Sequence, residues 1–246
     1  MQDLKYFLKD SIRKSVDFSR TDQSRGLPPP PVQKPCPEDA RKISLPGSDH
    51  WQKVLPVPLV QAIANRKSHR TPTKSDIPLP ELSFLLWATQ GVRQQQGPYN
   101  VLRTVPSAGC RHSLETYIAA FRVEGLKKAI YRYLPLNHQL VEVAAFDDLE
   151  QRVARMALGQ GFAGKSAVTF IWTTVASRME WRYGEAAYKV IALDAGHVCQ
   201  NLYLACEAIG CGTCAIAAYD QEFSDQMLGV DGDDEFTIYM APVSKT

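Results

Sequence analysis

The chain has 246 residues, 45% hydrophobic and 22% charged, with a formal net charge of +2. That balance describes a globular chain able to bury a core; it excludes disorder, and the scattered basic residues exclude the continuous stripe that a nucleic-acid polymer needs. No apolar run reaches bilayer length, no signal-peptide pattern opens the chain, and six cysteines without an export signal read as thiols, so a cytoplasmic protein without membrane or nucleic-acid partners is expected.

Residues 1–50 read as an arm. Pro28 to Pro31, Pro35 and Pro37 favour extended backbone after a short amphipathic helix around Tyr6 and Ile12, and the arm either stays mobile or packs along a partner subunit. Residues 51–246 form the main domain. Its first helix begins near Val57, with Leu59, Val60 and Ile63 on one face, and a second runs from Pro80 to Gln90, ended by Gly91. LETYIAAFRVE alternates as a strand, and AIYRYLP and QLVEV continue it as an antiparallel meander. DDLEQRVARMALGQ carries carboxylates in a helical first turn, and AVTFIWTTV is a continuous apolar strand, central and covered on both faces. The longest helical pattern spans 184–210. Ile191, Ala195, Val198, Leu202, Ala205 and Ile209 recur at three or four residues, and Ala192, Ala195, Gly196 and Ala205 leave room for another helix. TCAIAAY and EFTIYMAPV are predicted as the last strands, separated by a short helix QEFSDQMLG. Mixed in this order, the elements predict an α+β sandwich.

Gly159, Gly161 and Gly164 spell GxGxxG, but a helix precedes them and a strand follows, so the helix N-terminus that would hold a pyrophosphate faces the wrong way. Arg66, Lys67, Ser68, His69 and Arg70 put three cations and a hydroxyl at a helix end; such a group either grips a phosphate or is a solvated terminus, and composition alone divides the two evenly. Pro106, Ser107 and Gly109 suit a loop that brings backbone against a flat ligand, or an ordinary turn. The five histidines lack metal-ligand spacing, so no metal site is expected, and catalysis would rest on a cofactor. Cys211 and Cys214 form a CxxC, yet the pair follows a helix rather than opening one and no second pair completes a zinc site, which shifts attention to Gly210 and Gly212.

RKSHR, then PSAGCRHSLETYI, then RYGEAAYKVIALDAGHVCQNLYLACEAIGCGTCAIAAYD and the ending YMAPV, in this order, resemble the nitroreductase superfamily, specifically its SagB-type dehydrogenase branch, over roughly residues 55–244. The resemblance implies an α+β sandwich with a mainly antiparallel central sheet flanked by helices, a homodimer with FMN at the subunit interface, and NAD(P)H as co-substrate. It implies that Arg66, Lys67, Ser68 and Arg70 hold the flavin phosphate and ribityl chain. Pro106, Ser107, Ala108 and Gly109 would lie against the ring from the other subunit, and Gly210, Gly212, Thr213 and Cys214 would approach it, with Lys245 as a further phosphate candidate. Hydride would pass through flavin N5 to a small acceptor by a ping-pong mechanism. Branch members that oxidise azolines in ribosomal peptides resemble this chain around a Lys-Tyr pair. Arg182 and Tyr183 occupy that place here, so they are the catalytic candidates, although an arginine stays charged and cannot serve as a base. A flavin-binding or partner-binding protein with little turnover, and less so a thiol-disulfide oxidoreductase, are the alternatives.

Overall fold

The computed structural model describes residues 4–51, 54–97 and 99–246. Its centre is a seven-stranded sheet built from β1 (Lys42–Ser44), β4 (Leu114–Ala120), β5 (Ala129–Leu134), β6 (Gln139–Ala144), β7 (Val168–Val175), β8 (Cys211–Thr213) and β9 (Glu235–Lys245). The strands lie in the order β1-β6-β5-β4-β7-β9-β8, and every neighbouring pair is antiparallel. A separate hairpin joins β2 (Val92–Gln95) to β3 (Val101–Arg103).

The helices cover both faces because the central strands carry apolar residues on both. Phe170 and Trp172 of β7 and Ile118 of β4 face one core, shared with Leu82, Leu85 and Leu86 of α2 (Leu79–Gln90) and with α6 (Ala187–Glu207). The intervening Ile171, Tyr117 and Ala119 face the other, beneath α3 (Leu149–Met156) and α7 (Gln221–Leu228), with α4 (Phe162–Lys165) beside them. Alternation in β4 therefore sorts side chains between two cores, and all seven of its residues are buried. Each large aliphatic buried this way contributes about 1.5–3 kcal/mol. The α+β sandwich with a mainly antiparallel sheet is the fold the sequence predicts. Gly159, Gly161 and Gly164 lie between α3 and β7, where no strand-turn-helix phosphate cradle forms.

The long helix buries Ile191, Ala195, Val198, Leu202 and Ala205 as its spacing predicts, while Ala192, Leu193 and Gly196 stay on an exposed face. α1 (Leu59–Asn65) buries only Ala62, and its Leu59, Val60 and Ile63 point to solvent. The penultimate strand differs from TCAIAAY. β8 stops at Thr213, and beyond it only Ile216 bridges to β9, because Ala215 N turns away to donate to the Tyr203 hydroxyl. α5 (Ser177–Tyr183) and the β2–β3 hairpin have polar sequences without clean periodicity and were not foreseen.

The arm also differs. The segment around Tyr6 and Ile12 forms 3-10 turns at Leu4–Leu8 and Asp10–Lys14. Further on, the arm lies on the chain's own sheet rather than moving freely: β1 adds an edge strand to β6, Val32 is buried, and Lys34 N donates to Glu115 Oε1 at 2.7 Å. Arg132 donates to the carbonyls of Lys34 and Pro35, and Arg103 to that of Val32. The extended proline-flanked backbone forms no ladder over these residues, so arginines from the sheet and hairpin satisfy its carbonyls. Among the described residues no helix is long and apolar enough to cross a membrane.

Candidate functional site

The predicted site residues gather into two groups at different levels of α6. In the first, the chain leaves α1 at Arg66 and runs extended beside β8, where Ser68 bridges in parallel to Thr213 and His69 N donates to Thr213 O at 2.9 Å. Tyr203, from the last part of α6, ties the pieces together. Its hydroxyl lies 3.0 Å from Ser68 Oγ and accepts from Ala215 N at 2.8 Å, and the Arg66 guanidinium sits 5.1 Å from its ring centroid. Gly212 is required at this junction, since a Cβ there would stand 2.3 Å from Cγ of the His69 ring. Ser68 and His69, from the segment of Arg66, Lys67 and Arg70, are thus brought against Gly212 and Thr213, the strand that Gly210 precedes and Cys214 follows. Lys67, Ser68 and Arg70 are exposed, whereas Thr213 and Cys214 are buried, with Thr213 Oγ1 donating to Pro242 O at 2.8 Å.

No carboxylate is ion-paired with Arg66, Lys67 or Arg70 among the described residues. Uncompensated guanidinium and ammonium groups beside a serine hydroxyl are a donor set suited to a phosphate. Lys245 does not join them. Its ammonium pairs with the buried Glu81 carboxylate and donates to Ile209 O, so it closes the C-terminal strand against α2 instead of facing a ligand.

The second group is the loop between β3 and β4. Ala108 N lies 3.3 and 3.1 Å from the two carboxylate oxygens of Asp194, about two turns into α6 on its buried face, and Ser107 Oγ accepts from His112 N at 2.9 Å. Burial raises the Asp194 pKa above the ordinary carboxylate value, opposed by its hydrogen bonds from Ser107 and Ala108. Gly109 adopts φ +56, and a Cβ there would meet Arg182 Cδ at 2.6 Å and the Tyr183 hydroxyl at 2.7 Å, so the loop and the end of α5 approach backbone to side chain. Pro106, Ser107, Ala108, Gly109, Arg182 and Tyr183 therefore form one unit. His112 is buried with Nε2 2.9 Å from Val101 O; burial, together with the nearby Arg103 charge, drives its pKa down to about 3 and keeps the imidazole neutral.

Nine residues of α6 separate Asp194 from Tyr203, about 13 Å along the axis. Within one chain the cation group and the Gly109 loop are distinct groups, each touching α6, one through Tyr203 and the other through Asp194. Asp194, Tyr203 and Arg111 were not singled out from sequence. Asp194 carried a signal, since it shares the apolar i, i+3, i+4 stripe of Ile191, Ala195 and Val198, where a carboxylate needs a reason.

The nitroreductase family profile matches residues 63–245, from within α1 through β9 and across both groups. A Methanocaldococcus jannaschii protein named as a nitroreductase is 29% identical over 208 residues, covering 84% of this chain and 98% of its own. The trifolitoxin-processing protein TfxB of Rhizobium leguminosarum bv. trifolii is 27% identical over 133 residues, which are 52% of this chain and 36% of that protein. Among solved structures, one titled as a nitroreductase from Ralstonia eutropha JMP134 aligns with a TM-score of 0.69 and 27% identity over 89% of this chain and 99% of its own. The Escherichia coli microcin synthetase McbBCD complex shares the fold at a TM-score of 0.61 and 19% identity, over 83% of this chain and 84% of the matched one. By the profile match over most of its length, the chain belongs to the nitroreductase family.

Proposed function

We propose that the protein is an FMN-dependent oxidoreductase, active as a homodimer, that takes reducing equivalents from NAD(P)H and delivers them to a small organic acceptor. The observation that carries this reading is the cation and hydroxyl group at the Ser68–Thr213 bridge, which has no carboxylate partner among the described residues and fits a phosphate. Arg66, Lys67, Ser68 and Arg70 would hold the FMN phosphate and ribityl chain, the backbone at Gly210 and Gly212 would border the ring, and Pro106 to Gly109 would cover it from a second copy. Bound FMN would supply the hydride-carrying N5 that serves nicotinamide and acceptor in turn.

The remaining work falls to side chains in place. Asp194 orients the loop through Ala108 N and Ser107, and the packing of Gly109 under Arg182 and Tyr183 excludes water from that edge. The Tyr183 hydroxyl, beside Gly109, would hold a proton at the loop, and Arg182 would supply fixed positive charge. The test is direct. The purified protein should be yellow or become so on adding FMN, and NADH or NADPH should bleach it under anaerobic mixing. Replacing both Arg66 and Arg70 with alanine should weaken FMN binding by about a hundredfold, as loss of two phosphate contacts implies. A protein that takes up no flavin overturns the reading.

A second reading, oxidation of azoline rings in a peptide, draws support from the likeness to a trifolitoxin-processing protein. Arg182 argues against it, because a guanidinium cannot take the proton that a lysine in that place could.

A further inference from the structure

Two guanidinium groups meet at the Gly109 loop without an acid between them. Arg182 lies against Gly109 from α5, its Nε within 2.8 Å of where a Cβ would stand. Arg111 comes from the loop itself and is only 6% exposed. Its Nε donates to Gly109 O at 3.0 Å, its Nη2 to Asn100 Oδ1 at 2.9 Å, and its guanidinium lies 5.0 Å from the Trp181 ring centroid. All of these partners are neutral. The two charges feel one another, since Arg182 helps depress the Arg111 pKa after burial has done so.

Two carboxylates on neighbouring elements, Glu180 and Asp194, are engaged elsewhere, and the exposed Glu185 of the α5–α6 turn makes no ion pair with either arginine among the described residues. Glu180 accepts from the Tyr188 hydroxyl, and Asp194 accepts from Ala108 N beneath the loop. Neither Arg111 nor Arg182 is in an ion pair among the described residues. Holding a mostly buried cation beside a second cation costs free energy that a neutral ligand leaves in place and an anion recovers. The Tyr183 hydroxyl, 2.7 Å from the same Cβ position, adds a directional donor to the pair.

We infer that Arg111, Arg182 and Tyr183 form an anion subsite on the rim of the Gly109 loop, so that the acceptor this protein prefers carries a carboxylate beside its reducible group. The inference rests on the oxidoreductase reading and names the substrate class of that site. In the reaction the carboxylate is a spectator. For a nitroaromatic acceptor, Ar–NO2 with NAD(P)H and one proton gives Ar–NO, NAD(P)+ and water, two electrons passing from nicotinamide to the nitro group.

The test compares 4-nitrobenzoate with its neutral isostere 4-nitrobenzamide on the flavin-loaded protein, and benzoate with benzamide by calorimetry. The wild type should favour nitrobenzoate in kcat/KM, and benzoate in Kd, by about tenfold, the ratio falling about fivefold in Arg182→Gln and being largely retained in Arg182→Lys. Arg111→Gln should act in the same direction, and if it does not fold the exposed-end variants of Arg182 decide. Equal preference for the charged and neutral probes overturns the inference, as does an Arg182→Gln effect that is the same for both acceptors or confined to NAD(P)H. If the protein takes up no flavin the oxidoreductase reading fails; in that case, or if neither nitro compound is reduced, calorimetry decides the subsite, a benzoate Kd no better than that of benzamide overturning it.

Discussion

His112 is a neutral imidazole held where charge is unwelcome. It is 4% exposed, its neighbours Arg103, Arg111 and Arg178 are all cationic, and Arg178 Nη1 donates to its carbonyl at 3.1 Å. Its pKa of about 3 in the folded protein lies below the ordinary histidine value of 6.5. Between those limits the unfolded chain binds a proton that the folded chain refuses, so the stability this group contributes is full above 6.5 and is lost as pH falls toward 3. Glu115, whose burial is outweighed by Arg178 and Arg132, is held low and has the same sign in the carboxylate range; the raised Asp194 has the opposite one. From pH 6.5 to 5 histidine dominates, and His138, depressed by burial, adds to it. Unfolding free energy from denaturant titrations should drop by about 1.5 kcal/mol through His112 over that interval, with a further loss in the same direction from His138. His112→Asn, an exchange suited to the residue's φ of +48, should flatten the pH dependence by that amount, and an unchanged slope would contradict the assignment. At this scale much of the candidate site was legible, because RKSHR and PSAG announce charge and turn chemistry in consecutive residues. Tyr203 and Asp194 were not, since their roles arise where α6 passes loops that are distant in sequence.

Among the elements, those whose stability is local were read correctly. α2 has its prolines at the start and Gly91 at the end, α6 has an apolar stripe broken only by Asp194, and β7 is β-branched or aromatic throughout. Where the arm lies was left open, because proline-rich composition reports backbone preference and not docking. What docks it is a charge network in the sheet: Lys34 Nζ pairs with Glu235, whose other oxygen accepts from Tyr117 and Thr173, while Glu115 receives Lys34 N and the Arg178 guanidinium. Glu235 is buried, so the ammonium from the arm is its compensating charge. Lys34→Met should destabilise the protein by about 2 kcal/mol, less than a fully buried pair because the lysine keeps partial contact with water. Combined with Glu235→Gln, the loss should shrink, since no uncompensated carboxylate remains. Thermal unfolding of the two single variants and the double variant measures the coupling; additive losses would show that the pair does not fasten the arm.

For the whole molecule, the placement of apolar surface decides how the two groups, half-sites of the proposed dimer, are completed. α1 exposes Leu59 at 64%, Val60 at 82% and Ile63 at 56%, immediately before the Arg66 to Arg70 cations. α6 exposes Leu193 at 54%, next to the Asp194 that fixes the Gly109 loop, with Ala192 and Gly196 offering close approach on the same face. Each half-site therefore has an uncovered apolar patch beside it, and the two touch α6 about 13 Å apart. A two-fold axis that buries both patches would bring the cations of one copy to the loop of the other, satisfying both requirements at once. In an isolated chain, Val60→Glu changes a solvent-facing side chain and should alter stability by no more than about 0.5 kcal/mol. In the proposed dimer it would place a carboxylate in an apolar interface and close to the Arg66 to Arg70 cations. The expected outcome is a shift toward monomer in sedimentation velocity at micromolar concentration, with parallel loss of bound FMN and little change in the circular dichroism of the sheet. A variant that sediments as the wild type and keeps its flavin would exclude α1 from the interface and, with it, this arrangement of the half-sites.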